Sequence, residues 1–203
     1  MSELLLLCAV LALMELDTTY IGQFLISRPL VVGSVMGLLT GNLFLGLQIG
    51  LFTELIYLDF IPIGGIVPPS GAISAGLGVL VAYFFAAPVY FAFFVGILGG
   101  AAFSIIEKRL RRFRSRLLRG AEARILAGSL SPGMLIFESL VFQYLCIFAF
   151  LIMALTIGGP LAAYISSAMP PKAHIAFQFS YFVVPWMGLV LLFISFSTKP
   201  KTD

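Results

Sequence analysis

The fold is decided by the stretch from Pro29 to Ser70, which reads PLVVGSVMGLLTGNLFLGLQIGLFTELIYLDFIPIGGIVPPS. The stretch is apolar along its length, yet glycine and proline interrupt it repeatedly. Two sets of glycines recur at four-residue spacing: Gly33, Gly37 and Gly41, then Gly46 and Gly50. This spacing predicts that each set lies on one helix face, where a second backbone can approach closely. The spacing shifts at Asn42, so we expect a break there.

The end of this stretch does not suit a continuous helix. Residues 61–71 read IPIGGIVPPSG, and their prolines and glycines break helical hydrogen bonding. Inside a bilayer, non-helical backbone survives only where protein or a wet cavity satisfies it. Interrupted apolar segments of this kind point to the binding site of a transporter. We therefore predict re-entrant hairpins around a polar cavity, with close helix packing alone as the alternative.

The composition indicates an integral membrane protein. Of 203 residues, 61% are hydrophobic and 10% are charged, and the mean hydropathy is +1.10. A soluble domain is about 45–50% apolar and about 25% charged. A soluble fold of this length does not bury so much apolar surface, whereas a bilayer does. The predicted fold class is an all-α polytopic membrane protein.

The basic residues are concentrated in one segment. Eight of the 12 Lys and Arg lie between Lys108 and Arg124, and apolar residues recur among them at three- and four-residue steps. This pattern predicts an amphipathic helix on the cytoplasmic face of the membrane. It acts either as a topology determinant held by anionic lipid or as a docking surface for a cytoplasmic partner. Because the basic segment flanks membrane spans, nucleic-acid binding is not expected.

Three regions follow from these patterns. Residues 1–106 form an N-terminal membrane region with broken segments, residues 107–128 a basic cytoplasmic connector, and residues 132–198 the C-terminal transmembrane helices. The last region contains two apolar runs of spanning length, Met134–Ile157 and Ile175–Phe196. We expect Gly158-Gly159-Pro160 to end the first run, and His174 to lie in the loop between the two.

The strongest site candidate is Glu54, which lies in the apolar segment GLFTELI. An ionisable side chain at the bilayer centre costs about 2.5–3.5 kcal/mol, so its presence indicates function. A carboxylate accepts hydrogen bonds from sugar hydroxyls. The alternatives are a pair with Arg28 or a protonated carboxyl inside the bundle. The predicted substrate-binding residues are Glu54, Asp17, Gln23, Arg28, Asn42, Gln48 and Ser70.

The sequence offers no set of residues for covalent chemistry. It contains neither a phosphate-binding glycine loop nor a Ser/His/Asp or Cys/His arrangement. His174 is the only histidine, and no cysteine or carboxylate stands near it at metal-ligand spacing. We therefore expect no catalytic residue, no metal and no cofactor.

The ordered set of these residues resembles a known family. The set comprises Asp17, Gln23, Ser27-Arg28-Pro29-Leu30, the glycines from Gly33 to Gly50, Glu54, Pro62-Ile63-Gly64 and Pro68-Pro69. It is similar to the IIC subunit of the mannose/sorbose family of the phosphoenolpyruvate-dependent sugar phosphotransferase system. That family often has Asp where this chain has Asn42 and Ser70.

The resemblance implies a non-catalytic permease subunit for a hexose or related sugar in the bacterial cytoplasmic (inner) membrane. It implies a multi-pass chain that assembles with a second membrane subunit, IID, as a hetero-oligomer. Cytoplasmic IIA and IIB phosphocarrier proteins would carry phosphate on histidines, and IIB would phosphorylate the sugar as it arrives. By this likeness Glu54, Asp17, Gln23 and Arg28 lie in or beside the sugar pathway.

Two other functions fit the composition. A six-span vitamin-capture subunit of an energy-coupling transporter is equally apolar but does not need the broken segments. A non-transporting scaffold or sensor would instead recruit phosphotransferase proteins through the basic segment.

Overall fold

The computed structural model describes residues 1–18, 20–58, 67–126 and 131–197, and only the backbone of residues 116–124, 126 and 195. Within these ranges the ordered elements are helices, without a strand. The helices are α1 (Ser2–Leu16), α2 (Pro29–Leu39), α3 (Leu43–Tyr57), α4 (Gly71–Phe85), α5 (Val89–Leu126), α6 (Pro132–Met153), α7 (Gly159–Ala168) and α8 (Pro171–Ser197).

Helices α2 and α3 form a hairpin, and their contact lies on the glycine faces that the spacing predicts. A Cβ on Gly33 would overlap the carbonyl oxygen of Gly46 and lie 2.7 Å from the Cα of Gly50. The close approach of two backbones is therefore confirmed. Gly41 does not share this face, contrary to prediction: it lies in the turn with φ +76°, a conformation that glycine adopts without strain.

Both hairpin helices are shorter than a membrane span. Their 11 and 15 residues extend about 16 and 22 Å at 1.5 Å per residue, against a hydrocarbon core of about 30 Å. A re-entrant position for this hairpin remains a prediction. The predicted break at Ile61–Ile66 lies outside the described residues, and Val67–Ser70, which follow it, are not helical.

Helix α4 is the centre of the molecule. Every residue from Ala72 to Ala82 is buried, and the helix contacts α1, α2, α3 and α5. An apolar helix that is buried all round is typical of such a position. Small residues allow this packing: a Cβ on Gly96 of α5 would overlap the carbonyl oxygen of Ser74 of α4.

Helix α5 is continuous over 38 residues. It passes the predicted boundary between residues 106 and 107 without interruption, so the basic segment extends directly from a membrane-length helix. The division of the chain into three regions remains a prediction.

The expected helix end at Gly158-Gly159-Pro160 is wrong. A π-helical turn, Ala154–Gly158, joins α6 to α7, and the Gly159 N–H donates to the carbonyl of Ala154. Proline has no backbone N–H to donate. Because the π-helical turn ends directly before α7, Pro160 lies in the first turn of α7, where that donor is not needed.

His174 lies in the first turn of α8 rather than in a loop, contrary to prediction. Its Nδ1 is 3.0 Å from the Tyr90 hydroxyl, and its Nε2 is 3.0 Å from the Ser166 carbonyl oxygen. The ring therefore joins α5, α7 and α8.

Three helical stretches within the described residues are long and apolar enough to cross a membrane. They are Val89–Ser115, Pro132–Ala168 and Pro171–Ile194. Helices α2, α3 and α4 are apolar but shorter.

Candidate functional site

A cavity of about 400 Å³ lies where the segment after α1 meets the start of α4 and the facing sides of α5 and α6. This volume falls within the range of about 300–1,000 Å³ typical of small-molecule sites. Its polar lining residues are Glu15, Asp17, Thr18, Tyr20, Gln23, Ser27, Arg28, Tyr57, Ser70, Ser104, Glu107, Arg111 and Gln143. The wall therefore offers both hydrogen-bond acceptors and donors to a ligand.

Asp17 organises the segment between α1 and α2. Its Oδ1 accepts from the Phe24 N–H at 2.7 Å, and its Oδ2 accepts from the N–H and hydroxyl of Ser27 at 3.2 and 3.3 Å. Gln23 and Leu25 within this segment have φ of 53° and 67°. Left-handed backbone at such residues costs about 1–3 kcal/mol and persists where surrounding contacts fix it. Asp17 provides those contacts.

Glu15 and Ser70 connect α1 to the start of α4. The Ser70 hydroxyl donates to Oε2 of the buried Glu15 at 2.9 Å. Ser70 Oγ in turn accepts a hydrogen bond from the Ile73 N–H at 3.1 Å, so Ser70 also caps α4. A carboxylate at position 70 would face the carboxylate of Glu15.

The buried Glu107 on α5 is the centre of a polar group that we call the Glu107 cluster, with Tyr20, Arg111, Arg114 and Gln143. Its Oε1 accepts from Tyr20 Oη at 3.0 Å, Arg111 Nε at 2.9 Å and an Arg114 guanidinium nitrogen at 3.0 Å. Its Oε2 accepts from Gln143 Nε2 at 2.8 Å. The Arg114 guanidinium also lies over the Tyr20 ring, 4.8 Å from its centroid. These contacts join the segment after α1 to α5 and α6.

The ion pair between Glu54 and Arg28, one alternative left open by the sequence, is present. Arg28 donates to Glu54 Oε1 at 2.8 Å, and the Leu30 N–H donates to Oε2 at 3.3 Å. The Glu54 side chain is 20% exposed, and it does not line the cavity, whereas Arg28 does. Glu54 therefore orients Arg28 at the cavity wall.

The structure brings four of the seven predicted residues to one cavity: Asp17, Gln23, Arg28 and Ser70. Asn42 lies in the hairpin turn, where its Oδ1 accepts the Leu45 N–H at 3.1 Å and caps α3. Gln48 lies on α3, outside the cavity lining. A sugar contact for Glu54, Asn42 or Gln48 remains a prediction.

Sequence reasoning missed Tyr20, Glu107, Arg111 and Gln143. Glu107 stands at the edge of the basic segment, where a single carboxylate resembles part of a solvated face. A signal was present in Gln143, a lone amide within the apolar run from Val141 to Phe150. An amide in a membrane helix needs a partner inside the protein.

The membrane-length helices, the short glycine-packed hairpin and the polar cavity define a helical membrane protein with a polar cavity of small-molecule size. The family model described as PTS system sorbose-specific IIC component matches residues 1–200. The chain belongs to this family, and it is a sugar-transporting IIC subunit of a phosphotransferase system. The match does not favour the vitamin-capture or scaffold alternatives.

A solved structure supports the fold. The chain is similar to one chain in the cryo-EM structure of the mannose transporter ManYZ in complex with microcin E492 (MceA). The TM-score is 0.69 at 18% identity, covering 98% of this chain and 81% of the other. A search of the curated proteins finds no match.

Proposed function

We propose that the 400 Å³ cavity binds the hexose or related sugar that this subunit carries across the membrane. The observation behind this proposal is the density of polar groups around a space of ligand size in an otherwise apolar bundle. Carboxylates and amide oxygens accept from sugar hydroxyls, and arginine donates to them. Polar groups in a membrane interior are costly, so their convergence on one cavity is best explained by a polar ligand.

Within this cavity we assign Asp17, Gln23, Arg28 and Ser70 to sugar binding. Glu54 acts indirectly, because it holds the Arg28 guanidinium at the cavity wall. Asn42 shapes the hairpin by capping α3, and Gln48 is the predicted residue for which the cavity offers least support.

We also propose the partners of the family. In an apolar 18-residue stretch of each of the three membrane-length helices, only 33%, 28% and 17% is buried inside the chain. The remaining surface fits lipid and a second membrane subunit, IID, in a hetero-oligomer of the bacterial inner membrane. The chain would cross that membrane several times. Cytoplasmic IIA and IIB proteins would meet the complex at the face where α5 extends as the basic segment.

The proposal is tested by measuring hexose binding to the purified membrane complex, with Arg28→Gln as the variant. A hydrogen bond to a charged group contributes about 1.5–3 kcal/mol, so affinity should fall about tenfold to a hundredfold. Glu54→Gln should weaken binding as well, because Arg28 loses its ion-pair partner.

The matched control is Arg109→Gln, because Arg109 is exposed and outside the cavity lining. It should bind sugar like the unmodified protein. Unchanged affinity in a folded Arg28→Gln variant would exclude this cavity as the sugar site.

A further inference from the structure

One buried side-chain atom of a cavity-lining residue has no hydrogen-bond partner among the described residues. Among the residues that the structure describes, Gln143 Oε1 and the Tyr181 hydroxyl are buried side-chain atoms with no hydrogen bond. Tyr181 is not part of the cavity lining, whereas Gln143 is. Gln143 is only 1% exposed. Buried polar groups are almost always satisfied, so this atom needs an explanation.

The orientation of the amide follows from its neighbour. Gln143 Nε2 donates to Glu107 Oε2 at 2.8 Å. Glu107 also receives three donors, two of them arginines, and its carboxylate acts here only as an acceptor. A reversed amide would bring two acceptor oxygens together. The end without a partner is therefore the carbonyl oxygen, which requires a donor.

We propose that Gln143 Oε1 accepts a hydrogen bond from one hydroxyl of the bound sugar, which makes Gln143 a specificity-determining residue. This inference rests on the proposed function of the cavity. A sugar hydroxyl supplies the missing donor, and the Glu107 cluster holds the amide in position to receive it. A site built around such a contact rejects an analogue that lacks the hydroxyl, since the buried acceptor is then left unpaired.

The test compares the sugar with its monodeoxy and deoxyfluoro analogues, one position at a time. A fluorine substituent retains approximate size but donates no hydrogen bond. In the unmodified complex, we expect both analogues at one ring position to bind about tenfold to a hundredfold more weakly. In Gln143→Met, which has similar length and no amide, the parent sugar should weaken by a similar factor. In this variant, the analogues modified at that ring position should bind about as tightly as the parent sugar.

Gln178→Met is the matched control, because Gln178 is exposed on α8; it should retain the full pattern of discrimination. If Gln143→Met does not assemble, Gln143→Leu is measured in the same way. A purely structural role would weaken binding of every analogue equally and leave the ring-position pattern intact, and that result would overturn the inference.

The experiments distinguish a failure of the role of Gln143 from a failure of the sugar site. Hexose binding with unchanged selectivity in the Gln143 variants overturns the role of Gln143 alone. No hexose binding by the folded, unmodified complex overturns the sugar site and this inference together.

Discussion

Replacing Glu107 with glutamine should destabilise the protein strongly. The carboxylate accepts hydrogen bonds from four side chains on three segments of the chain. Glutamine has nearly the same shape but offers one acceptor oxygen, and its NH₂ group would face groups that also donate. At least one donor of the Glu107 cluster would then lose its partner.

The magnitude follows from burial. The Arg114 side chain is 12% exposed, so its charge loses the carboxylate with little water to replace it. Breaking a buried ion pair in this way costs about 3–5 kcal/mol. Arg111, at 43% exposure, contributes little because solvent screens its pair with Glu107. At about 2–4 °C of Tm per kcal/mol for chains of this size, the melting temperature should fall by about 6–20 °C.

The assay is thermal unfolding of the purified protein in one detergent, followed by a reporter of aggregation or helix content. Glu138→Gln is the control, because Glu138 is an exposed carboxylate on α6 and should shift Tm little. Glu107→Gln combined with Arg114→Gln should recover part of the loss, since the second change removes the unpaired charge. Equal Tm values for the Glu107 and Glu138 variants would refute the reasoning.

Two further predictions concern packing. Gly33→Ala places a methyl group against the backbone of α3 and should destabilise the protein by about 1–3 kcal/mol. Gly133→Ala, which meets no atom within 4 Å, should be neutral or slightly stabilising; equal Tm losses in both would argue against the close hairpin. Tyr181→Phe removes a buried hydroxyl without a partner among the described residues while keeping the ring against Phe52, so Tm should rise by about 2–4 °C. Tyr164→Phe, at an exposed position, should leave Tm unchanged, and a fall in Tm for Tyr181→Phe would show that the hydroxyl has a partner.

The parts of the fold that were predicted from sequence depend on local patterns. Apolar length indicated membrane helices, and the four-residue spacing of Gly33 and Gly37 indicated a close helix contact. The end of α6 was misplaced because Pro160 looks like a helix stop. A π-helical turn, which has no sequence signature as clear as a proline, carries the helix past it.

Only part of the candidate site could be predicted from the sequence, and the reason differs from that for the fold. Asp17, Gln23 and Arg28 lie close together in the chain, so their shared location was visible in the sequence. The contacts of Glu107 with Tyr20 and Gln143 span 87 and 36 residues, and only the folded bundle brings them together. The prominence of Glu54 in the sequence came from its apolar surroundings, which did not reveal that Arg28 would stand between it and the cavity.

The unbroken course of α5 has a mechanical consequence. Its 38 residues form a rod about 57 Å long, and the same rod contributes Glu107 to the cavity wall and continues as the basic segment. Because α5 is a single helix, a partner that tilts its basic end relative to the bundle would also displace the part of the cavity wall that α5 provides. On the proposal that the cavity binds sugar, sugar binding and the angle of that end should therefore be coupled through α5.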